Sequence, residues 1–230
     1  MTDLANTGER ILPEIETPLM IARHFSAYQF AKDYCKGKNV LDIGCGEGYG
    51  SDYLSGFAKS VTAIDYDAAA VEHAKGKYRK GNLTFRRLDV KGLSSLSDKF
   101  GAICCFQVIE HIADTESFLK DIGQMLDTSG IFIVSTCNKL DSSPGSDIPL
   151  NKFHVKEYFF RDFKELLDKH FASVHIVGLK RTKLLNFYRG LKKIGILKRL
   201  YTNSRSGSFK IVTDDLKDAL DFIAVCKKVA

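Results

Sequence analysis

The sequence has 230 residues, of which 44% are hydrophobic, and a formal net charge of +6 at pH 7. This length allows one compact domain with modest additions and excludes two full-sized domains, so residues 1–230 are expected to form a single domain. No run approaches the roughly 18 consecutive apolar residues that cross a bilayer, and no apolar leader follows the first residue, so a cytoplasmic location is expected.

The first predicted element is an amphipathic helix over residues 17–35, preceded by the run TGERILPE. Its apolar side chains recur at helical spacing. We expect residues 1–36 to cap a ligand site, with Arg10 as a candidate contact for an anionic group and His24 and Tyr28 as candidate pocket residues. The alternative is a surface arginine and a helix that simply packs on the core.

From residue 29 to residue 136, strand-like runs alternate with helical patterns, which indicates repeated βαβ units and a parallel sheet. Apolar runs such as IFIV and VTAI are typical of strands covered on both faces. The chain is therefore predicted to be an α/β protein. Strands are predicted over residues 39–43, 60–65, 82–88, 101–107, 130–137, 173–180 and 221–227, and helices near 117–126 and 155–170 and before the last strand.

The first strand leads into the run VLDIGCGEGYG, residues 40–50. Gly44, Gly46 and Gly48 let the backbone turn sharply and approach a ligand without Cβ clashes. A dinucleotide-binding fingerprint requires glycine at its first, third and sixth positions, but the sixth position counted from Gly44 is Tyr49. This spacing disfavours a nicotinamide dinucleotide site.

The same run matches the pattern (V/L)LD(I/V)GCGxG, and on these residues the chain resembles class I S-adenosylmethionine (SAM) dependent methyltransferases. The likeness extends over residues 39–138. Within this family, the chain resembles the type 11, or UbiE-like, subgroup. It implies a doubly wound, mostly parallel seven-stranded sheet of Rossmann-like type, an antiparallel last strand and a SAM-binding core over residues 37–138. The leader TGERxxPE resembles bacterial methyltransferases of glycan gene clusters.

Two acidic residues follow the next strands in register with the glycine loop. Asp65 ends VTAID, where a carboxylate can accept hydrogen bonds from both ribose hydroxyls. The resemblance implies that Asp89 approaches the adenine amino group and that Val90 lies beside the ring. Considered alone, either carboxylate would be typical of a solvated strand end. The resemblance adds further cofactor contacts at Asp42, Gly44, Cys45, Gly46, Gly48 and Tyr66, and Arg10 is a candidate for the SAM carboxylate or an acidic acceptor.

The fourth strand ends in FQVIEHI and brings Phe106 and Gln107 to the carboxyl edge of the sheet, where open α/β folds bind ligands. We therefore include both in the predicted cofactor site. Glu110 and His111 match an EH(I/V) run that many family members share. His111 is expected to pack and form hydrogen bonds at a helix start rather than to catalyse.

After Cys137 the composition turns to Asn, Ser, Asp, Gly and Pro, which predicts a long loop over the acceptor pocket. Methyl transfer from a sulfonium depends mainly on alignment and exclusion of water, and a base assists a hydroxyl or amine acceptor. His154 is the candidate base; the alternative is that it caps or packs the next helix. No set of acidic and Asn ligands for a catalytic metal can be assembled, so a metal-independent reaction is predicted.

Positive charge is concentrated late in the chain. Of the 34 Lys and Arg residues, 11 lie in residues 169–210, which contain no Asp or Glu, and the other 23 are outnumbered by 28 acidic residues. Residues 181–212 are predicted to be a basic insertion before the last strand. It could pack on the core as a solvated basic helix, bind an anionic lipid or a lipid-linked phosphorylated acceptor, or, with less support, bind RNA.

The sequence therefore predicts SAM-dependent methyl transfer to oxygen on a small molecule or sugar in glycan or secondary metabolism. A quinone-type enzyme that methylates carbon or oxygen is one alternative, and a SAM-binding regulatory protein without catalysis is another. Nucleic acid is disfavoured as a substrate, because no (D/N/S)PP(Y/F/W) run and no Pro-Cys nucleophile are present. Peripheral association with the inner face of a membrane would accompany a lipid acceptor.

Overall fold

The computed structural model describes residues 10–191, 199, 201–204 and 207–228. Its first helix, α1, covers Pro18–Cys35, as predicted. The helix starts there because Thr17 accepts a hydrogen bond from the Met20 N–H at 3.3 Å and a proline occupies the first turn. Tyr28 belongs to the face of α1 that is buried against the sheet.

Eight strands lie in the described part of the chain, and all belong to one sheet. They are β1 (Asn39–Ile43), β2 (Ser60–Asp65), β3 (Leu83–Arg87), β4 (Phe100–Phe106), β5 (Leu126–Cys137), β6 (Ser173–Arg181), β7 (Phe209–Val212) and β8 (Asp221–Lys227). Their order across the sheet is β3-β2-β1-β4-β5-β8-β6-β7. The first five are parallel, and β8 is antiparallel to both of its neighbours. The predicted fold class is confirmed.

Helices cover both faces of this sheet. After α1 they are α2 (Tyr49–Ser55), α3 (Ala68–Lys77), α4 (Thr115–Met125), α5 (Lys139–Ser142), α6 (Phe160–Asp168) and α7 (Lys183–Gly190). The buried side chains of α1, α2 and α3 form one apolar layer, and those of α4 and α6 form another. Val40 belongs to the first layer and Leu41 to the second, because successive strand side chains point to opposite faces.

The sheet differs from the predicted one in its number of strands. Instead of seven strands there are eight, because β7 pairs antiparallel with the end of β6 inside the segment expected to be an insertion. With only four residues, β7 gives little sequence signal of its own. β5 also begins earlier than predicted, at Leu126, because this residue already pairs with Phe100.

Two helical segments are shorter than predicted. α6 begins at Phe160, because the N–H groups of Val155 and Lys156 instead bond to the carbonyl oxygen of Glu110 at 2.8 and 3.1 Å. The helix predicted before the last strand is only a 3-10 turn, Leu216–Asp218. The bonds to Glu110 join distant parts of the chain, which local patterns do not reveal.

The predicted basic insertion, residues 181–212, is described in part. It contains α7 and β7, whereas residues 192–198, 200 and 205–206 lie outside the described residues. No helix in the described ranges is both long and apolar enough to span a membrane.

The first turn of α2 is in close contact with α1. A Cβ atom at Gly50 would lie only 2.0 Å from the ring of Tyr28. We therefore expect Gly50→Ala to lower the free energy of unfolding by about 1–3 kcal/mol, the usual cost of overpacking a core. Denaturant unfolding followed by circular dichroism measures this change.

Gly123→Ala in α4 is the matched control, because no described atom lies within 4 Å of the Cβ that it would add. Replacing a helical glycine at such a site is expected to be neutral or to stabilise the protein by up to about 1 kcal/mol. Equal effects at the two positions would contradict the tight packing of α1 on α2.

Candidate cofactor and acceptor site

The loop between β1 and α2 contains the three glycines expected to approach a ligand. Gly44, Gly46 and Gly48 have φ values of 73°, 54° and 95°, a region that glycine adopts without strain. The N–H groups of Gly44 and Cys45 donate to the carbonyl oxygen of Ile64 at 2.9 and 3.0 Å. The loop is therefore fixed against the end of β2.

A cavity of about 590 Å³ opens beside this loop, at the carboxyl edge of the parallel strands. Open α/β sheets bind ligands at this edge. Most of the predicted cofactor contacts line it, namely Arg10, Gly44, Cys45, Gly46, Asp65, Tyr66, Asp89, Val90, Phe106 and Gln107.

Two predicted contacts, Asp42 and Gly48, are not among the described residues that line the cavity, and their role stays a prediction. Asp42 is fully buried, and one carboxylate oxygen accepts hydrogen bonds from Ser51 at 2.5 Å and Tyr28 at 3.4 Å. Burial raises the pKa of Asp42 to about 7. Gly48 precedes α2, where an added Cβ would lie 2.8 Å from the Phe85 ring. Asp42 therefore bonds to the first turn of α2, and Gly48 packs closely on β3.

Asp65 lies at the end of β2, directly beside the loop. Its two carboxylate oxygens accept the N–H groups of Gly46 and Asp67, each at 2.9 Å. Burial raises the pKa of Asp65, while these two hydrogen bonds and the nearby Arg10 guanidinium act to lower it. The carboxylate is thereby held in one orientation at the cavity wall, as a group that binds vicinal hydroxyls requires.

Arg10 reaches the same end of the cavity and forms an ion pair with Asp67. Asp67 also caps α3 by accepting the Ala69 N–H at 2.7 Å. Burial opposes ionisation of Asp67, but the hydrogen bond from Arg10 and the capping bonds bring its pKa below the usual value. Arg10 therefore connects the N-terminal segment to the turn after β2, and its contact with an anionic ligand stays a prediction.

Asp89 lies in the turn after β3, since that strand ends at Arg87. One carboxylate oxygen accepts the Lys91 N–H at 2.9 Å, so Asp89 caps a short 3-10 helix. Val90 is half-buried next to it, and both residues line the cavity. Both residues therefore lie together at the cavity wall, and their contact with adenine stays a prediction.

Gln107 follows β4 and has a φ of 56°, a left-handed conformation that is uncommon for residues other than glycine. Two hydrogen bonds to Ser135 hold it there. Its backbone N–H donates to the carbonyl oxygen at 3.1 Å, and its Nε2 donates to the hydroxyl at 3.2 Å. Backbone strain of this kind is concentrated at ligand sites, which agrees with the place of Gln107 on the cavity wall.

Two histidines are in contact, His111 after β4 and His154 in the loop after β5. His154, the predicted base, is not among the described residues that line the cavity. Its Nδ1 lies 2.7 Å from Glu157, and its Nε2 lies 3.0 Å from the side-chain amide of Asn151. His111, expected only to pack, does line the cavity, and its ring meets that of His154 edge to face with centroids 4.9 Å apart.

The tautomer of His111 follows from its surroundings. Its Nδ1 lies 2.9 Å from the carbonyl oxygen of Phe153. Because a carbonyl oxygen can only accept, Nδ1 holds the proton, and the neutral ring has its basic lone pair on Nε2. The EH run placed His111 at the correct edge of the sheet, but the loop contact that orients the ring is not visible in the sequence.

The cavity also includes residues that the sequence analysis missed. Asp114, Ser117 and Asp121 line it from the first turns of α4. Their spacing of three and four residues is that of one helix face, which could have identified them. His24 lines the cavity from α1, as predicted, and burial together with the Arg23 charge lowers its pKa to about 4, so its ring is neutral near pH 7.

Glu110 lies under this site and is fully buried, where it accepts a hydrogen bond from the Thr136 hydroxyl at 3.2 Å. Burial raises the pKa of Glu110 to about 8. Side-chain atoms of Glu110, Cys137 and His154 that could bind a metal ion lie within 4.8 Å of one another. Both ring nitrogens of His154 already face Glu157 and Asn151, and metal independence of the reaction stays a prediction.

These buried acids predict that stability falls as the pH rises through the neutral range. The folded protein keeps a proton on Asp42 up to about pH 7 and on Glu110 up to about pH 8. The unfolded chain releases both protons near about pH 4. Above about pH 5, we expect the unfolding free energy of Glu110→Gln to decrease less steeply with pH than that of the unchanged protein. The difference in slope should be up to about 1.4 kcal/mol per pH unit.

Urea unfolding of both proteins between about pH 5 and pH 8, followed by circular dichroism, measures this slope. Asp33→Asn, which removes an exposed carboxyl from α1, is the matched control. Parallel curves for Glu110→Gln and the unchanged protein would contradict the proposed protonation of Glu110.

The residues of the cavity fit SAM. No atom of the described residues lies within 4 Å of the position that a Cβ would take at Gly46. A ligand can therefore approach the backbone there, beside the oriented Asp65 carboxylate. The apolar side chains of Leu88, Val90 and Phe106 line the same cavity and suit a purine ring. The arrangement therefore combines a group for ribose hydroxyls, an apolar surface for a base and an open loop for an amino acid portion.

Comparisons with known proteins relate this chain to methyltransferases. A methyltransferase domain family matches residues 19–182. A Mycolicibacterium smegmatis protein named a probable SAM-dependent methyltransferase is 38% identical over 163 residues, which cover 70% of this chain and 63% of that protein. A ubiquinone biosynthesis O-methyltransferase of Coxiella burnetii is 29% identical over 106 residues, 45% of each chain.

A solved structure shows the same fold. The plantazolicin methyltransferase BpumL in complex with SAH matches with a TM-score of 0.60 and 19% identity, covering 94% of this chain and 87% of that one. The aligned region spans less than two thirds of the mycobacterial relative. The cofactor expected from the glycine loop, SAM, agrees with the name of the Mycolicibacterium smegmatis relative. The chain belongs to the class I SAM-dependent methyltransferase family.

Proposed function

We propose that this chain transfers a methyl group from SAM to an oxygen atom of a small molecule or sugar. SAM supplies a methyl group on a sulfonium, which already activates the carbon for displacement. The observation that supports the proposal most directly is the Asp65 carboxylate, held by the Gly46 N–H at 2.9 Å beside the open backbone of the loop. An acid in this position can bind both ribose hydroxyls.

The other cavity residues have complementary roles in this proposal. Asp89 and Val90 bind the adenine end, and the backbone of Gly44 and Cys45 accommodates the amino acid end. Arg10 holds Asp67 and, through it, the turn that orients Asp65. The segment before β1 acts as the cap, since α1 contributes His24 and Tyr28 to the cavity wall. Further contacts come from Gly46, Tyr66, Phe106 and Gln107.

We assign the role of general base to His111, with His154 as a positioning residue. In the neutral His111 ring the basic nitrogen is Nε2, because Nδ1 donates to the Phe153 carbonyl. Asn151 connects the two histidines, since its Oδ1 accepts the Phe153 N–H at 3.0 Å and its Nδ2 lies 3.0 Å from His154. His154 thus helps to place the carbonyl that orients His111.

The acceptor is proposed to be a hydroxylated small molecule or saccharide, because His24, Tyr28, Gln107 and His111 give the cavity wall several hydrogen-bonding groups. The similarity to the Coxiella burnetii ubiquinone biosynthesis O-methyltransferase favours a quinone-type phenol as the second candidate. SAM binding without catalysis is the remaining alternative, and only a turnover assay separates it from the other two.

The first test of the proposal concerns the cofactor. Asp65→Asn keeps the size of the side chain but removes its charge, so the charge-assisted bonds to ribose are lost. We expect the dissociation constant for S-adenosylhomocysteine to rise about 10- to 100-fold, which corresponds to about 1.5–3 kcal/mol. Isothermal titration calorimetry measures it.

Glu72→Gln on α3 is the matched control, because it neutralises an exposed carboxylate whose ion pair with Lys75 contributes little. Its affinity should equal that of the unchanged protein. If Asp65→Asn also bound S-adenosylhomocysteine with unchanged affinity while folded, Asp65 would not be the ribose ligand.

The second test concerns the base. His111→Asn retains an amide N–H that can donate to the Phe153 carbonyl, but it removes the basic nitrogen. We expect kcat to fall about 100-fold or more, the usual contribution of a general base, while affinity for S-adenosylhomocysteine stays within about twofold. Methyl-labelled SAM with a panel of saccharides, phenols and hydroxy acids provides the assay, guided by metabolite profiling of a deletion strain.

His175→Asn, at an exposed position of β6, is the matched control and should keep full activity. His154→Ala should lower kcat less than His111→Asn does, because His154 only helps to place the loop carbonyl that orients His111. Full activity of His111→Asn would refute its role as base. Binding of S-adenosylhomocysteine without methylation of any acceptor would favour the non-catalytic alternative.

A further inference from the structure

Helix α7 presents an exposed apolar face. Leu184 and Phe187 are three residues apart, so they are neighbours on one side of the helix, and they are 60% and 59% exposed. Leu185 is buried and holds α7 on the domain. Thr182 fixes its start by accepting the Leu185 N–H at 3.4 Å and by donating its own N–H to the Ser208 carbonyl at 3.0 Å.

The sequence around this face is cationic. Lys183 and Arg189 lie on α7 itself, and residues 169–210 contain eleven Lys and Arg residues and no Asp or Glu. The nearby acid Asp215 pairs with Lys180 at 3.0 Å. The exposed apolar side chains are therefore flanked by positive charge.

The same edge of the molecule exposes further apolar groups. The ion pair between Arg181 and Asp141, at 3.7 Å, connects the base of α7 to α5 in the loop after β5. This loop exposes Ile148 and Leu150, by 72% and 65%. β5 and β6 both run antiparallel to β8, so they point in the same direction. The loop that follows β5 and the helix α7 that follows β6 therefore both start at the carboxyl edge of the sheet, where the cavity opens.

We propose that this face of α7, together with the exposed loop after β5, binds the surface of an anionic lipid bilayer. Apolar side chains enter the headgroup boundary, and the adjacent Lys and Arg meet anionic lipids. RNA would match the cations but would leave the aliphatic Leu184, Ile148 and Leu150 unused, because single-stranded nucleic acid is bound by stacking on aromatic rings. Bilayer binding would hold the cavity near lipid-linked acceptors.

Flotation of the full chain with phosphatidylcholine vesicles, with and without phosphatidylglycerol, tests the proposal. We expect binding only to the vesicles that contain phosphatidylglycerol, and weaker binding at high salt. The double variant Leu184→Ser with Phe187→Ser should reduce binding about tenfold or more, because two side chains lose apolar burial in the interface. Lys183→Glu with Arg189→Glu should abolish it.

The matched controls lie at the opposite, amino edge of the sheet. Phe57→Ser removes an exposed ring there, and Lys36→Glu with Lys59→Glu makes the same change in net charge. Both should float like the unchanged protein. Every variant is checked by its affinity for S-adenosylhomocysteine, which separates failure of this proposal from failure of the proposed function.

Three results would overturn the proposal. The first is absence of flotation with phosphatidylglycerol vesicles at low salt. The second is an equal loss in the control and α7 variants. The third is that the α7 variants still bind vesicles but lose another property of the unchanged protein. Loss of a dimer seen in light scattering would assign the face to a second copy of the chain, and loss of binding to single-stranded RNA would assign it to RNA.

Discussion

The hydrogen bond from the Gly46 N–H to the Asp65 carboxylate joins two neighbouring strand ends into one binding surface. β1 and β2 are adjacent and parallel, so the loop after β1 and the last residue of β2 reach the same edge. Asp65 is also bonded to the Asp67 N–H, and Asp67 in turn pairs with Arg10. Together with the bonds from Gly44 and Cys45 to Ile64, this contact sets the relative positions of the glycine loop, the acid and the N-terminal segment.

Beneath this surface lie two buried carboxyl groups with raised pKa values. Asp42 supports the glycine loop through Ser51, and Glu110 lies beneath the histidine side of the cavity and bonds to Thr136. Burial of acids costs stability unless polar partners or a proton compensate. Here one oxygen of each acid has a hydroxyl partner, and the other oxygen has none among the described residues. Both acids are buried next to segments that line the cavity, and raised pKa values of this kind are common at functional sites.

Sequence patterns predicted the features that depend on local interactions. The bounds of β1 and β2 and the glycine loop are determined by contiguous residues. The contact that orients His111 was not predicted, because the Phe153 carbonyl lies 42 residues away in the sequence. β7 was missed because its four residues form a strand only through pairing with β6. Ten of the twelve predicted cofactor contacts line the cavity, since parallel strands end at one edge.

Tyr28 gives α1 a direct part in the cofactor cavity. Its ring lies against Gly50, its hydroxyl lies 3.4 Å from Asp42, and its side chain lines the cavity. A ligand in the cavity would therefore touch α1 and the sheet at once. Because the ligand would bind only while α1 is in place, its binding would increase the free energy needed to detach α1 from the sheet. The helix would therefore detach less often in the occupied protein than in the empty one. The stability of the packing of α1 on the sheet would thus depend on whether a ligand occupies the cavity.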